Sequence, residues 1–262
     1  MTTKPDDTEA QENMSTQTED SESQPVLQIH ELDKSYQSKS GLELVLTDLD
    51  LTLEQGEFKC ILGRSGCGKS TLLKCIAGLE NYESGTIKGD LDNIGYVFQE
   101  DRLLNWRTVR ENISLALESK GIPRSKHDER IQRYLELVGL EDELESYPLH
   151  LSGGMRQRVS IARALAIEPD TLLMDEPFSA LDEINARRLR EEFLEIITKL
   201  DQSVIFVTHN AREAVFLGST VAVLEPTPPA KIKKEIDNPL EYPRDIDSND
   251  VNELSKEIIS YL

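Results

Sequence analysis

The chain has 262 residues, 38% of them apolar and 5% aromatic, with 49 acidic against 29 basic side chains and a net charge of −20. That length can bury one large core or two small ones, and the acidity argues against nucleic acid, whose phosphates would repel it. No apolar run approaches the ~18 residues of a membrane span, and the polar, acidic start is unlike a secretory signal, so a cytoplasmic chain is expected.

Residues 1–25 hold seven acids and one lysine among Ser, Thr, Gln and Asn, which predicts a disordered acidic tail. The remaining acids are spread along the chain and predict a solvated acidic surface, suited either to a salty cytoplasm or simply to solubility. VLQIHEL and LVLTDLDLTL alternate apolar and polar residues and read as strands of an antiparallel sheet, with QSKSGLE between them as a loop. EFKCIL reads as a buried strand, STLLKCIAGL as a helix closed near Gly78, and GTIKG and NIGYVFQ as short strands. From about residue 108 to 166 the pattern turns helical: Thr108 and Glu111 form a T-x-x-E capping box, Ser125 can cap the next helix, and Gly139 can end it. TLLMDEP and SVIFVTH are apolar strands ending in polar residues, where an open parallel sheet binds its ligand. Cys60, Cys67 and Cys75 show no C-x-x-C spacing and are expected as reduced thiols.

Between the strand EFKCIL and the helix that follows lies GRSGCGKST, which fits G-x-x-x-x-G-K-[ST]. Glycines let consecutive amide NH groups point into one concavity at a helix N-terminus, a cradle for phosphate. The predicted nucleotide loop is Gly63, Arg64, Ser65, Gly66, Cys67, Gly68, Lys69, Ser70 and Thr71, with Lys69 reaching the outer phosphates and Ser70 ligating Mg2+. Asp175, at the end of TLLMD, is the expected second Mg2+ ligand, and Glu176 beside it can polarise a water; alone, the pair also fits a solvated strand end. In LSGGMRQR, at 151–158, Ser152 can cap a helix whose first NH groups are left bare by Gly153 and Gly154, a second anion site.

The phosphate loop, Gln99, LSGGMRQR, LLMDEP, SALD at 179–182 and His209, in that order, resemble the ATP-binding subunit of an ABC transporter over about 26–224. The resemblance implies an α/β fold: a P-loop NTPase (RecA-like) core, an N-terminal antiparallel β layer and an inserted α-helical subdomain at about 103–166. The residues at 225–262 are expected as a strand and helix extension, too short for a further regulatory domain. ATP and Mg2+ are the implied cofactors, and ATP hydrolysis to ADP and phosphate the implied activity. Two subunits would sandwich each ATP head to tail, with Ser152, Gly153 and Gly154 of one meeting the nucleotide on the loop of the other. Gln99 would contact Mg2+ and the attacking water, His209 the γ-phosphate, and Asp182 would lie in the loop crossing the dimer interface. Tyr36 falls where the family places an aromatic on adenine, with an ordinary strand-end tyrosine as the alternative. His30, His127 and His150 carry no such match.

GRSGCGKSTLL, VFQEDRLLNWRTV, LSGGMRQR and DEPFSALD further resemble the importer subfamily for nitrate, sulfonates, taurine, bicarbonate or pyrimidine precursors of thiamine. Asn105 stands where that subfamily usually has proline, and Met155 where the general signature has glutamine. The implied partners are a second copy of the chain, transmembrane permease subunits and, indirectly, an extracytoplasmic solute-binding protein. The implied location is the cytoplasmic face of the membrane. The other functional class considered is a soluble ATPase of the same family acting as a nucleotide-switched regulator.

Overall fold

The computed structural model describes residues 25–39 and 41–262; the acidic segment expected to be disordered lies outside them, apart from Pro25. In chain order the strands and helices open with β1 (Leu27–Ser38), β2 (Gly41–Leu53), β3 (Phe58–Leu62) and α1 (Lys69–Ile76). Next come β4 (Ser84–Gly89), β5 (Ile94–Val97), α2 (Val109–Ser119), α3 (His127–Leu137) and α4 (Gly153–Leu165). The chain continues through β6 (Thr171–Asp175), α5 (Glu183–Leu200), β7 (Ser203–Thr208), α6 (Ala211–Leu217), β8 (Thr220–Leu224), β9 (Ile232–Asp237) and α7 (Asn249–Ile259).

The alternating strands β1 and β2 pair antiparallel, and β4 adds to the other side of β1. Most of the segment expected as a loop after Tyr36 is strand, with Lys39 in the turn: Tyr36 pairs with Glu43, Gln37 with Leu42 and Ser38 with Gly41. Main-chain pairing carries the hairpin further than its polar residues suggest. The second sheet has the order β5-β6-β7-β3-β8-β9, parallel except for β9, which runs antiparallel to β8. β3, β6, β7 and β8 are buried along their whole length, as strands covered on both faces must be, which explains their near-continuous apolar sequence.

Two cores follow from that arrangement. Ile61, Leu173, Ile205 and Ala222 on one face of the large sheet pack with Leu72 and Leu73 of α1 and with Leu46 and Leu51 of the small sheet. On the other face Phe58, Leu62, Leu172 and Phe206 pack against Val159, Phe193, Val215 and neighbouring helical residues. β9 and α7 supply the strand and helix expected at the C-terminus; Lys59 of β3, buried, reaches across to Glu235 of β9.

The capping signals hold at most termini. Thr108 and Glu111 form the reciprocal box of α2, and Ser152 accepts from the Met155 amide at the start of α4. Gly139 follows α3 at φ +66°. Ser125 is a correction: a 3-10 turn at Arg124–Lys126 runs into α3, which begins at His127 without a side-chain cap. Asp128 and Glu129 in its first turn provide the favourable negative charge instead. His127 is bonded to Ser114 Oγ at 2.8 Å and to the Ile122 carbonyl at 2.9 Å, and His30 to Asp50 at 2.8 Å, so both are structural. The three cysteines are free thiols, and all three are buried.

Candidate active site

The phosphate loop joins β3 to α1 at the carboxyl edge of the parallel strands. Gly66 and Gly68 have φ of +83° and +110°, a region closed to most side chains. A Cβ at Gly68 would lie 2.8 Å from Leu46 Cδ2, and one at Gly63 would lie 2.6 Å from Cys67 Sγ. The glycines are therefore required by the loop's shape and its packing on β2.

The Lys69 ammonium is buried within the loop, donating to the carbonyls of Gly63 at 2.9 Å and Arg64 at 3.1 Å and lying 3.2 Å from Glu176 Oε1. The other carboxylate oxygen of Glu176 lies 2.8 Å from His209 Nδ1. Glu176 is itself at φ +42°, an unusual conformation for a residue with a side chain, and its amide donates to the Val207 carbonyl at 3.1 Å. Parallel pairing of β6 with β7 brings the two strand ends together and sets Glu176 beside His209.

Ser70 Oγ donates to Asp175 Oδ1 at 2.8 Å, and Tyr96 Oη approaches Asp175 Oδ2 at 3.4 Å. Burial pushes the Asp175 carboxyl above its ordinary value, against the Ser70 hydrogen bond and with the charge of Glu176. Burial, aided by Asp175, likewise raises the Tyr96 phenol. Gln99 Nε2 donates to Ser179 Oγ at 3.1 Å, and Ser179 donates to the Glu176 carbonyl at 2.8 Å. Gln99 is thus tied to the segment that carries Glu176.

A cavity of about 380 Å3 collects these groups: Ser65, Gly66, Gly68, Lys69, Ser70 and Thr71 line it with Val45, Gln99 and Glu176. Tyr36 is not among its lining residues; its ring lies under the Lys34 ammonium, 4.5 Å from the centroid. Ser152, Gly153 and Gly154 are absent from that lining too. Ser152 and Gly153 are exposed, and Gly153 borders a second hollow of about 400 Å3 with Gln99, Asp101, Arg156 and Leu181. Arg156 pairs with Asp101 at 2.9 Å, fastening the start of α4 to the segment after Gln99. Asp182 is exposed and caps α5, accepting from the amide and side chain of Asn185 at 3.1 and 2.7 Å; these bonds hold its carboxyl below the usual range.

Among the described residues no group of three or more His, Cys, Asp and Glu side chains forms a metal cluster, and no helix is long and apolar enough to cross a membrane. Sequence reasoning passed over Val45, Tyr96 and Ser179. Val45 and Tyr96 look like ordinary strand residues, and Ser179 sat unused in SALD, so only the fold reveals their contacts.

A glycine loop between a parallel strand and a helix, facing a strand-end carboxylate bonded to the loop serine, defines a P-loop nucleoside triphosphatase. The family model described as "ABC transporter" matches residues 46–179, and the chain belongs to that family of ATP-binding ATPases. It is 41% identical over 240 residues to the aliphatic sulfonates import ATP-binding protein SsuB of Bacillus cereus, covering 88% of this chain and 93% of that one. To the nitrate import ATP-binding protein NrtD of Synechocystis sp. it is 42% identical over 217 residues, covering 80% and 81%. The fold superposes on the dimeric, ADP- and Pi-bound ATP-binding cassette MJ0796 with a TM-score of 0.71 at 28% identity, over 82% of this chain and all of that one.

Proposed function

We propose that the chain energises import of a small solute of the sulfonate or nitrate kind, working as a head-to-tail homodimer that closes on two ATP molecules. One observation carries the dimer: the LSGGM residues stand apart from the cavity that the phosphate loop lines, and Ser152 is exposed. A bare helix N-terminus is a good anion site only when an anion reaches it, and a second subunit would bring one. The dimeric form of the MJ0796 cassette and the import functions named for the SsuB and NrtD relatives support the same reading.

In this reading Lys69 and the loop amides hold the outer phosphates, and His209 meets the γ-phosphate. Both oxygens of Glu176 are engaged as the side chains stand, one by Lys69 and one by His209. Phosphates drawing Lys69 toward them would release one oxygen to orient a water and accept its proton. Gln99 orients the same water, and Asp182 lies at the subunit interface. Tyr36 stacks on adenine with the face that Lys34 leaves open. The hydroxyl of Ser70 and the carboxylate of Asp175, 2.8 Å apart, are hard oxygen donors that suit Mg2+, with Gln99 as a third. Mg2+ there would neutralise charge building on the phosphates.

The ATPase domain spans 26–224, the helical subdomain at about 103–166 faces the permease, and 225–262 is an extension welded to it. The chain then sits on the cytoplasmic face of the membrane through its permease. The test is co-expression with its cognate permease subunits: the chain should fractionate with membranes only when the permease is present. A chain that stays out of the membrane fraction even then would favour the soluble regulator.

A further inference from the structure

A second polar cluster lies behind the strand end that carries His209. Arg190 of α5 and Glu213 of α6 are 4% and 6% exposed, and Arg190 Nε donates to Glu213 Oε1 at 2.8 Å. The same guanidinium donates through Nη1 to Glu183 Oε1 at 2.9 Å. The remaining oxygen of Glu213 accepts from Thr208 Oγ1, whose oxygen in turn accepts from the Asn210 amide at 3.0 Å. The carbonyl of Thr208 accepts from the Gly63 amide of the phosphate loop at 3.3 Å. Thr208 is therefore held on both sides, by the phosphate loop through its backbone and by Glu213 through its hydroxyl. His209 is the next residue. A hollow of about 150 Å3 joins the two groups, bordered by Glu176 and His209 on one side and Arg190, Glu213 and Thr208 on the other.

Stability alone does not explain this arrangement. Taking an ion pair out of water costs about as much as the pair returns, and apolar replacements of similar volume are often neutral or stabilising. What the cluster supplies is geometry. The planar fork of Arg190 grips two carboxylates from different elements: Glu213 behind β7, and Glu183, adjacent to Asp182 at the head of α5. Burial pulls the guanidinium down, but Glu183 and Glu213 more than offset it and hold it charged.

We infer that Arg190 and Glu213 are positioning residues for ATP hydrolysis: they clamp Thr208 so that His209 stands against Glu176, and tie that clamp through Glu183 to the loop bearing Asp182. The inference rests on the reading of Glu176 and His209 as the hydrolytic pair. A shift of the Asp182 loop when a second subunit docks would then be felt at His209 through side chains already in contact.

The test uses the full-length chain with Arg190→Met, Glu213→Gln and the double variant, which leaves no unpaired charge in the buried site. Nucleotide affinity is read with a fluorescent ATP analogue, turnover by phosphate release and folding by thermal melting. The double variant is expected to fold and to bind nucleotide within about twofold of the parent, with kcat lowered at least about tenfold, and no further than in the worse single variant. A folded double variant with parental kcat overturns the clamp, as does a loss of affinity that matches the loss of kcat. If a single variant does not fold, Arg190→Lys, which keeps the charge without the fork, replaces it and is expected to lose kcat in the same way; parental kcat there also counts against the clamp. His209→Ala runs beside them. Full turnover by His209→Ala contradicts the reading of the site, whereas an inactive His209→Ala next to a fully active double variant contradicts the clamp alone.

Discussion

His209 Nδ1 lies 2.8 Å from Glu176 Oε2 while Lys69 Nζ lies 3.2 Å from Glu176 Oε1, so one carboxylate bridges the end of β7 and the phosphate loop. Three segments far apart in sequence meet on a single side chain there. On the reading proposed above, a γ-phosphate would compete with Glu176 for these two neighbours, and the carboxylate would respond to the nucleotide.

The first prediction concerns that carboxylate. Glu176→Gln keeps the shape and the bond to His209 but cannot accept a proton, so turnover should fall by at least about 100-fold, the usual scale of general-base catalysis. ATP affinity should stay near the parental value, and the ATP-bound dimer should accumulate on a sizing column. Parental phosphate release by this variant would remove Glu176 from the role.

Gly68 tests the shape of the loop. At φ +110°, with Leu46 Cδ2 2.8 Å from where a Cβ would stand, Gly68→Ala should cost about 1–3 kcal/mol of stability. Nucleotide binding should weaken by a larger factor than melting alone accounts for, because the amides that cradle phosphate move with it. Melting and binding that match the parent would show the loop to be permissive.

The cysteines provide a pH test. Burial raises all three thiols, Cys75 to about 11. A raised thiol pKa stabilises the fold fully below the ordinary value near 9.0 and loses that contribution as pH climbs through about 11. Iodoacetamide labelling should accordingly be negligible at pH 8 in the folded chain, complete in denaturant, and should rise with loss of melting temperature as pH approaches 11. Rapid labelling of the folded chain at neutral pH would contradict the burial.

Trp106 is 74% exposed, and Tyr147 and Leu149 are exposed on a segment that the Val109 amide joins to its own through the Ser146 carbonyl at 2.9 Å. A contact with the permease, as proposed above, would use exposed apolar groups of this kind. Trp106→Ala should leave ATP affinity and melting unchanged while reducing recovery with the permease in the membrane fraction. Undiminished recovery would move the contact elsewhere.

Much of the fold and of the candidate site was legible in the sequence because local rules govern it. Alternation named β1 and β2, an unbroken apolar run named the covered strands, and glycine spacing named the loop because few other residues adopt its φ values. Thr108 and Ser152 were readable as caps because capping is a contact over three residues. Ser125 misled because a preceding turn, not the cap, set where α3 begins. The length of the β1–β2 hairpin was hidden because cross-strand hydrogen bonds override the polar composition of its tip. Arg190, Glu213 and Thr208 look like ordinary residues of two helices and a strand; their contact spans 23 residues or fewer but depends on how α5, β7 and α6 stack.

The most direct measurement mixes two inactive variants. Ser152→Arg puts a bulky cation where the second subunit would dock and leaves its own phosphate loop intact, and Lys69→Ala removes the main cation from the outer phosphates. Charge-assisted contacts of that kind are worth roughly 1.5–3 kcal/mol, so Lys69→Ala alone should bind ATP about ten- to a hundredfold more weakly. Ser152→Arg alone should bind ATP normally but neither dimerise nor hydrolyse it. Their heterodimer has one composite site with both defects and one with neither, so the mixture should recover ATP-driven dimerisation and part of the hydrolysis. If Ser152→Arg hydrolyses ATP normally as a monomer, or the mixture shows no recovery while each variant remains folded, the head-to-tail sandwich is wrong and the LSGGM segment is only a capped helix start.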